Sequence, residues 1–185
     1  MMRIVGGEVK GRRLAVPPRG TRPTSERARE ALFNSLTGLM DVHGANVLDL
    51  FAGSGAVGLE ALSRGAKAVT FVESDRTACD VLRRNIDAVG LPGTTLHRRP
   101  AATYLVGSGV DEPFDLVFAD PPYAYRDDHL AVLLTSLAAP GWLAPEAVVV
   151  VERPARGAEP VWPEGVVPVT SKRYGEGVLW YGRAR

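Results

Sequence analysis

Leu48-Asp49-Leu50-Phe51-Ala52-Gly53-Ser54-Gly55-Ala56-Val57-Gly58 is the stretch that decides the fold. Val47–Phe51 has the length and apolar character of a buried strand, and Val57–Ser63 reads as a helix, so the glycines mark a strand-turn-helix junction. Gly53, Gly55 and Gly58 fit G-x-G-x-x-G, and Glu73 follows Gly53 by 20 residues, where the next strand, Ala68–Val72, ends. Such a turn lets the backbone approach an adenosine ligand whose ribose hydroxyls donate to the strand-end acid. A tight turn with a solvated Glu73 is the plainer alternative. Asp49, four residues before Gly53, separates two cofactor classes. A dinucleotide places its pyrophosphate on the helix N-terminus, where this carboxylate would repel it. A ligand bearing an ammonium and a sulfonium suits the carboxylate. S-adenosylmethionine bears both and is the expected cofactor, with a nicotinamide dinucleotide the distant alternative.

Outward from the loop, strands and helices alternate. Arg76–Val89 reads as a helix ended by Gly90, Thr95–His97 as a short strand, and Phe114–Ala119 as a clearer one. A helix over Leu130–Leu137, stopped by Pro140-Gly141, leads to a strand at Val148–Glu152. Val166–Thr170 and Val178–Tyr181 follow, too closely joined for a parallel crossover. The expected class is therefore α/β, a mostly parallel sheet covered on both faces with antiparallel last strands. Before the loop, Arg3–Val16 reads as a glycine-turned hairpin. Pro17, Pro18, Gly20 and Pro23 form a stiff connector, and a helix starts at Ser25.

Asp120-Pro121-Pro122-Tyr123 follows directly from the strand Phe114–Ala119, at the end where open α/β sheets bind ligands. Two successive prolines remove two amide donors and leave carbonyls, which makes an acceptor-rich site suited to an NH2 group. Asp120 and the Pro121 carbonyl are expected to accept the two N–H bonds of an aryl amine, and Tyr123 to offer a face for an unstacked base. The alternative is a strand-end turn with Tyr123 as a partly buried aromatic.

The composition is that of an ordinary globular chain, with 45% hydrophobic and 23% charged residues. No apolar run approaches the length of a membrane helix, no secretory signal is evident, and Cys79 is a lone cysteine. His43, His97 and His129 lack metal-ligand spacing, so no metal and a cytoplasmic location are expected. The net charge of +1 hides an asymmetry: residues 1–31 hold eight basic and three acidic side chains, so the remaining chain is acidic. Segregation of this kind suits an N-terminal segment that meets a polyanion. A solvated basic loop explains it equally well.

The D-x-F-A-G-S-G form resembles the first motif of Rossmann-like methyltransferases, and D-P-P-Y resembles the fourth motif of amino-methyltransferases acting on adenine N6, cytosine N4 or guanine N2. Arg22-Pro23-Thr24-Ser25-Glu26-Arg27-Ala28-Arg29-Glu30-Ala31-Leu32-Phe33-Asn34, with Arg3-Ile4-Val5-Gly6-Gly7, Gly11-Arg12-Arg13-Leu14 and Arg173-Tyr174-Gly175, is similar to the RsmD family, guanine-N2 methyltransferases of 16S rRNA. The resemblance spans essentially the whole chain. It implies a Rossmann-like seven-stranded methyltransferase fold over residues 23–185 and an RNA-touching β-hairpin extension with its connector over residues 1–22. It further implies a target, guanine 966, on a small subunit or late assembly intermediate.

The resulting assignments are Asp120, Pro121, Pro122 and Tyr123 as catalytic, and Asp49, Ala52, Gly53, Ser54, Gly55, Glu73, Ser74, Ala101 and Asp120 around the cofactor. Arg3, Lys10, Arg12, Arg13, Arg19, Arg22 and Arg27 are the expected RNA contacts. One departure stands out: Arg98-Arg99-Pro100-Ala101 replaces a family pattern with a polar residue before the alanine, so a backbone amide such as that of Ala101 is expected to meet the adenine. Two other functions remain open at this stage, a DNA adenine-N6 methyltransferase and a non-catalytic ribosome-assembly module. The hairpin is expected to be separable from the body.

Overall fold

The computed structural model describes residues 2–18, 24–107 and 109–185; Arg19 and Arg22 lie outside them. β1 (Met2–Arg3) and β2 (Arg13–Leu14) form a small antiparallel pair, followed by α1 (Glu26–Leu36), β3 (Asn46–Leu50), α2 (Ala56–Ser63), β4 (Ala68–Glu73) and α3 (Arg76–Val89). β5 (Thr94–Arg98), α4 (Ala101–Tyr104), β6 (Phe114–Ala119), α5 (Asp127–Leu137), β7 (Leu143–Pro154), β8 (Val166–Tyr174) and β9 (Gly177–Ala184) complete the order. The main sheet runs β5-β4-β3-β6-β7-β9-β8, parallel from β5 to β7, with β9 antiparallel to both β7 and β8. This is the expected Rossmann-like seven-stranded fold with its antiparallel end.

Sequence patterning explains the layers. Alternate strand residues Val47, Phe71, Phe118 and Val150 pack against α1, α2, α3 and the hairpin. Leu48, Val72, Val117 and Val151 face α4 and α5. α1 starts where the Ser25 hydroxyl accepts the Ala28 amide, and α3 where the Asp75 carboxylate accepts the Ala78 amide, each satisfying a donor left open by the helix start. The largely apolar α2 is buried along its whole length, which makes Glu60 and Ser63, its two polar residues, conspicuous.

Those two residues hold the N-terminus. Glu60 accepts the Val5 amide at 2.9 Å, the Gly6 amide at 2.8 Å and Arg64 Nε at 3.0 Å, with Arg29 Nη1 at 3.8 Å. Both Arg29 and Glu60 are fully buried. Arg29 Nη2 donates to the Arg3 carbonyl at 2.6 Å, and Ser63 Oγ donates to the Gly6 carbonyl at 2.6 Å. Gly7 lies against the end of α2 with φ +79°, and a Cβ there would fall 1.8 Å from the Ser63 carbonyl oxygen; only glycine meets both conditions. Asn85 clamps the chain further along, exchanging hydrogen bonds with Ala15 and donating to the Ser54 carbonyl at 2.9 Å.

The N-terminal segment is a small antiparallel hairpin packed against the body. Its strands are two residues each, and Met2, Ile4 and Leu14 are core residues. Arg29, part of the basic charge counted for this segment, is internal rather than displayed.

Removing the Glu60 carboxylate leaves Arg29 buried without its partner and two amides without acceptors, so Glu60→Ala should cost about 3–5 kcal/mol. Chemical denaturation should report that loss, with amide exchange rising first at Val5 and Gly6. A variant within about 1 kcal/mol of wild type, the size of an ordinary single-mutation effect, would refute this account.

Candidate functional site

The C-terminal ends of β3, β4, β6 and β7 reach the same edge of the sheet, as parallel strands must, and the residues that follow them form the site. The β3 strand stops at Leu50, and Phe51 turns the chain with φ +59°, a left-handed conformation that a bulky residue occupies at a cost of order 1–3 kcal/mol. Tyr125 braces its ring edge-on, with centroids 5.2 Å apart. Gly55 caps α2 with φ +79°, and a Cβ there would lie 2.0 Å from Leu82 Cδ1, so this turn admits glycine alone. At Gly53 a Cβ would meet nothing within 4 Å, because this residue fronts open space.

That space is a cleft bordered by Asp49, Phe51, Ala52, Gly53, Ser54 and Asp120, with Pro17 and Thr24 closing it from the N-terminal side. Of the expected cofactor residues, the fold thus brings Asp49, Ala52, Gly53, Ser54 and Asp120 together around it. Glu73 joins through the loop: its Oε2 accepts the Gly53 amide and its Oε1 the Asp75 amide, both at 2.8 Å. Ser74 is exposed beside it. Gly55 stands behind the loop against Leu82. Ala101 opens the one-turn α4 after Pro100, so its amide is one of those a helix start leaves without an intrahelical acceptor.

Asp49 is almost wholly buried at 2% exposure and accepts the Gly58 amide at 3.0 Å. Burial, opposed by that amide and reinforced by the Glu73 charge, pushes its carboxyl up to about 8. Asp120 is also pushed well above the usual carboxylate range, first by burial, then by the charges of Glu152 and Asp49; a hydrogen bond from Thr24 and the Arg153 charge oppose the shift. A cleft whose carboxylates are short of positive charge attracts a cationic ligand. The open face at Gly53 and the acid at Glu73 fit its adenosine part, so these residues suit S-adenosylmethionine.

Asp120-Pro121-Pro122-Tyr123 forms the turn after β6. Pro121 is buried, and Tyr123 displays its ring at 49% exposure. The Pro122 carbonyl accepts the Tyr125 amide at 2.8 Å. Buried Arg153 anchors the next residues through Nη2, to the Tyr125 carbonyl at 2.8 Å and Asp127 Oδ1 at 2.9 Å. Thr24, Phe51 and Glu152 are additions to the expected site. Thr24 and Phe51 lie inside the motifs quoted above, but nothing local in the sequence aims either of them at Asp120 or Asp49.

Of the expected RNA contacts, Arg3, Lys10, Arg12, Arg13 and Arg27 lie on the surface as side chains exposed in whole or in part. Arg3 approaches Glu26 at 3.6 Å, and Arg12 Nη1 donates to the Ala88 carbonyl at 2.9 Å.

Residues 2–183 match the model of the family described as conserved hypothetical protein 95. The chain is 40% identical over 163 residues to ribosomal RNA small subunit methyltransferase D of Escherichia coli (strain K12), covering 88% of this chain and 79% of that protein. It is 38% identical over 154 residues to the protein of the same name from Haemophilus influenzae, covering 82% and 78%. A solved structure of a hypothetical protein from Thermus thermophilus superposes with a TM-score of 0.82 at 34% identity, covering 98% of each chain.

The shift at Asp49 has a sign that can be measured. A carboxyl that titrates near 8 when folded and near 3.8 when unfolded binds its proton more tightly in the native state. Its contribution to stability is therefore full below about pH 4 and is lost as pH rises towards 8. Asp49→Asn should flatten the fall in unfolding midpoint between about pH 5 and 8. His97, whose lowered pKa from burial acts in the opposite direction, is common to both profiles and cancels in their difference. Superimposable profiles for the two proteins would show that Asp49 is not held protonated.

Proposed function

The chain belongs to the conserved hypothetical protein 95 family, and on that premise we propose that it is an S-adenosylmethionine-dependent methyltransferase acting on the exocyclic N2 amine of a guanine in small-subunit rRNA. The observation that carries the reading is the placement of Asp120-Pro121-Pro122-Tyr123 beside a cleft that also holds Asp49 and the Gly53 turn. The names of the curated relatives support the rRNA of the small subunit as substrate, and guanine 966 is its proposed position.

When bound, the cofactor supplies an electrophilic methyl group on a sulfonium. Asp49 and the Gly53-Ser54 turn hold its charged end and Glu73 its ribose, with the Ala101 amide and Ser74 nearer the base. Asp120 and the Pro121 carbonyl accept the two N–H bonds of the target amine. Its lone pair is thereby turned out of conjugation and held in line, a positioning effect worth several orders of magnitude in rate. The Thr24 hydroxyl donates to Asp120 and favours its ionised form. The exposed Tyr123 ring stacks on the extruded base. Pro17 and Thr24 line the N-terminal side of the same cleft. The proposed RNA contacts are the basic residues of the N-terminal extension, residues 1–22 (Arg3, Lys10, Arg12 and Arg13, with Arg19 and Arg22 named from sequence alone), and Arg27 at the start of the methyltransferase domain, residues 23–185.

Labelled methyl transfer to small subunits, naked rRNA and DNA in parallel, followed by nucleoside analysis, tests the reading. N2-methylguanosine from small subunits is expected; methylated adenine in DNA would overturn it. Asp120→Ala should abolish transfer while calorimetric affinity for S-adenosylmethionine stays within a few-fold. Turnover near wild type in that variant would remove Asp120 from the chemistry.

Arg12 and Arg13 can be neutralised without opening the core. An arginine that binds a phosphate displaces a condensed counterion, and glutamine in its place does not. The double Gln variant should therefore lower the log–log salt slope of subunit binding by up to about two. A line parallel to wild type would place the RNA surface elsewhere.

A further inference from the structure

β6 and β7 are parallel with Ala119 opposite Val151, so the next step of the ladder sets Asp120 beside Glu152, with strands about 4.8 Å apart. Glu152 pairs on its other side with Leu179, which packs in the same cluster as Phe118 and Val150. Glu152 and Asp120 thus share the sheet face that carries Asp49. The Glu152 charge is the largest influence on Asp120 after burial, and burial raises Glu152 itself. Its Oε1 lies against Gly177, where a Cβ would come within 3.0 Å. Its Oε2 is buried and has no hydrogen-bond partner among the described residues. An unpaired buried carboxylate oxygen costs stability, and it invites a ligand donor to account for it.

The bases that carry an exocyclic amine differ in the ring atom next to it. Guanine presents N1–H, a donor; adenine N1 and cytosine N3 present lone pairs. A carboxylate oxygen beside Asp120 matches the first and opposes the other two when ionised, since it can then only accept, and the guanine N1–H that it receives favours the ionised form against the upward push of burial. We propose that Glu152 is the specificity residue of the base pocket: its Oε2 accepts the N1–H of the target guanine while Asp120 holds the neighbouring amine. This assignment rests on the guanine-N2 reading above. It supplies what the D-P-P-Y turn lacks, a means of choosing among the three amino bases. A site built to receive a hydrogen bond rejects an analogue without the donor far more strongly than an apolar pocket rejects a change of size.

The test uses the full chain and small subunits assembled with rRNA that carries either guanine or 2-aminopurine at the position the wild-type protein methylates. 2-Aminopurine keeps the amine and replaces N1–H with a lone pair. Single-turnover rates and half-saturating concentrations should favour guanine by about tenfold to a hundredfold in wild type, the worth of one hydrogen bond to a charged acceptor. Glu152→Gln, whose amide offers either an oxygen or an NH2, should bring the ratio close to one. Each ratio is taken within one protein, so the fraction folded cancels. Equal use of the two bases by wild type, or an unchanged preference in Glu152→Gln, overturns the assignment and leaves the guanine reading intact. A Glu152→Gln protein that binds cofactor yet acts on neither base overturns it as well, since transfer to 2-aminopurine never used the N1–H contact. Methyl found on adenine or cytosine instead of guanine brings down the guanine reading itself.

Discussion

A carboxylate sealed from water inside a largely apolar helix is the constraint around which this molecule is arranged. Glu60 has to be met by donors and by positive charge, and these come from three separate parts of the chain: the Val5 and Gly6 amides, the Arg29 guanidinium on α1, which pairs with it by charge, and Arg64 at the end of α2. Because Arg29 also holds the Arg3 carbonyl, one charge cluster fixes the hairpin and orients α1 over the sheet. α1 begins just after Thr24, so its orientation decides whether that hydroxyl reaches Asp120. Glu60 sits on the helix that the glycine loop opens. The N-terminal basic segment and the cofactor cleft are thereby two ends of one rigid assembly, coupled through polar atoms that replacement of either partner would strand.

The cleft itself runs on a deficit of positive charge. Asp49, Asp120 and Glu152 occupy one face of three neighbouring strands. Arg153, the nearest guanidinium influence on Asp120, is committed to Tyr125 and Asp127. The Gly58 backbone amide and the Thr24 hydroxyl temper the deficit without cancelling it. Such a pocket meets a cationic ligand with little reorganisation, because its dipoles are already fixed by strand ends and helix starts.

Local chemistry is legible in the sequence; long-range polar pairing is not. The Gly53–Gly58 turn, Glu73 and Asp120–Tyr123 can be read because each is a short motif tied to a strand end, and β6 and α3 have the boundaries their patterns predict. Where elements extend beyond expectation, tertiary pairing is the reason. β8 runs well past its apolar segment, and β7 past Glu152 to Pro154, because β9 supplies a ladder for residues that look polar in isolation, while β7 starts early through the pairing of Leu143 with Phe114 on β6. Arg29 reads as surface charge in a helix rich in Arg and Glu, and only the fold shows that it is buried against Glu60, far along the chain. Glu152 reads as the last residue of a strand, and its place beside Asp120 emerges from the β6–β7 register alone. The hairpin looks longer in sequence because glycine-spaced β-prone residues resemble strands, whereas the Val5, Gly6 and Val9 amides are satisfied by side chains of α2 rather than by a partner strand.

The order of the sheet leaves β5 and β8 at its margins, and each is built in a way that discourages recruitment of another chain. β8 carries Pro168, which offers no amide, and its register shifts between Pro168 and Thr170 before Lys172 and Arg173 place charge along the rim. β5 is only five residues long and ends on His97 and Arg98. A second molecule seeking to continue the ladder would meet an interrupted, charged border on one side and a short one on the other. The long run of valines at Val148–Val151 would be an amyloid-prone segment if exposed, but it lies sealed between β6 and β9. Resistance to edge-to-edge aggregation thus comes from strand order, which seals the valine run inside, together with the proline, the register shift and the charges that its border strands carry.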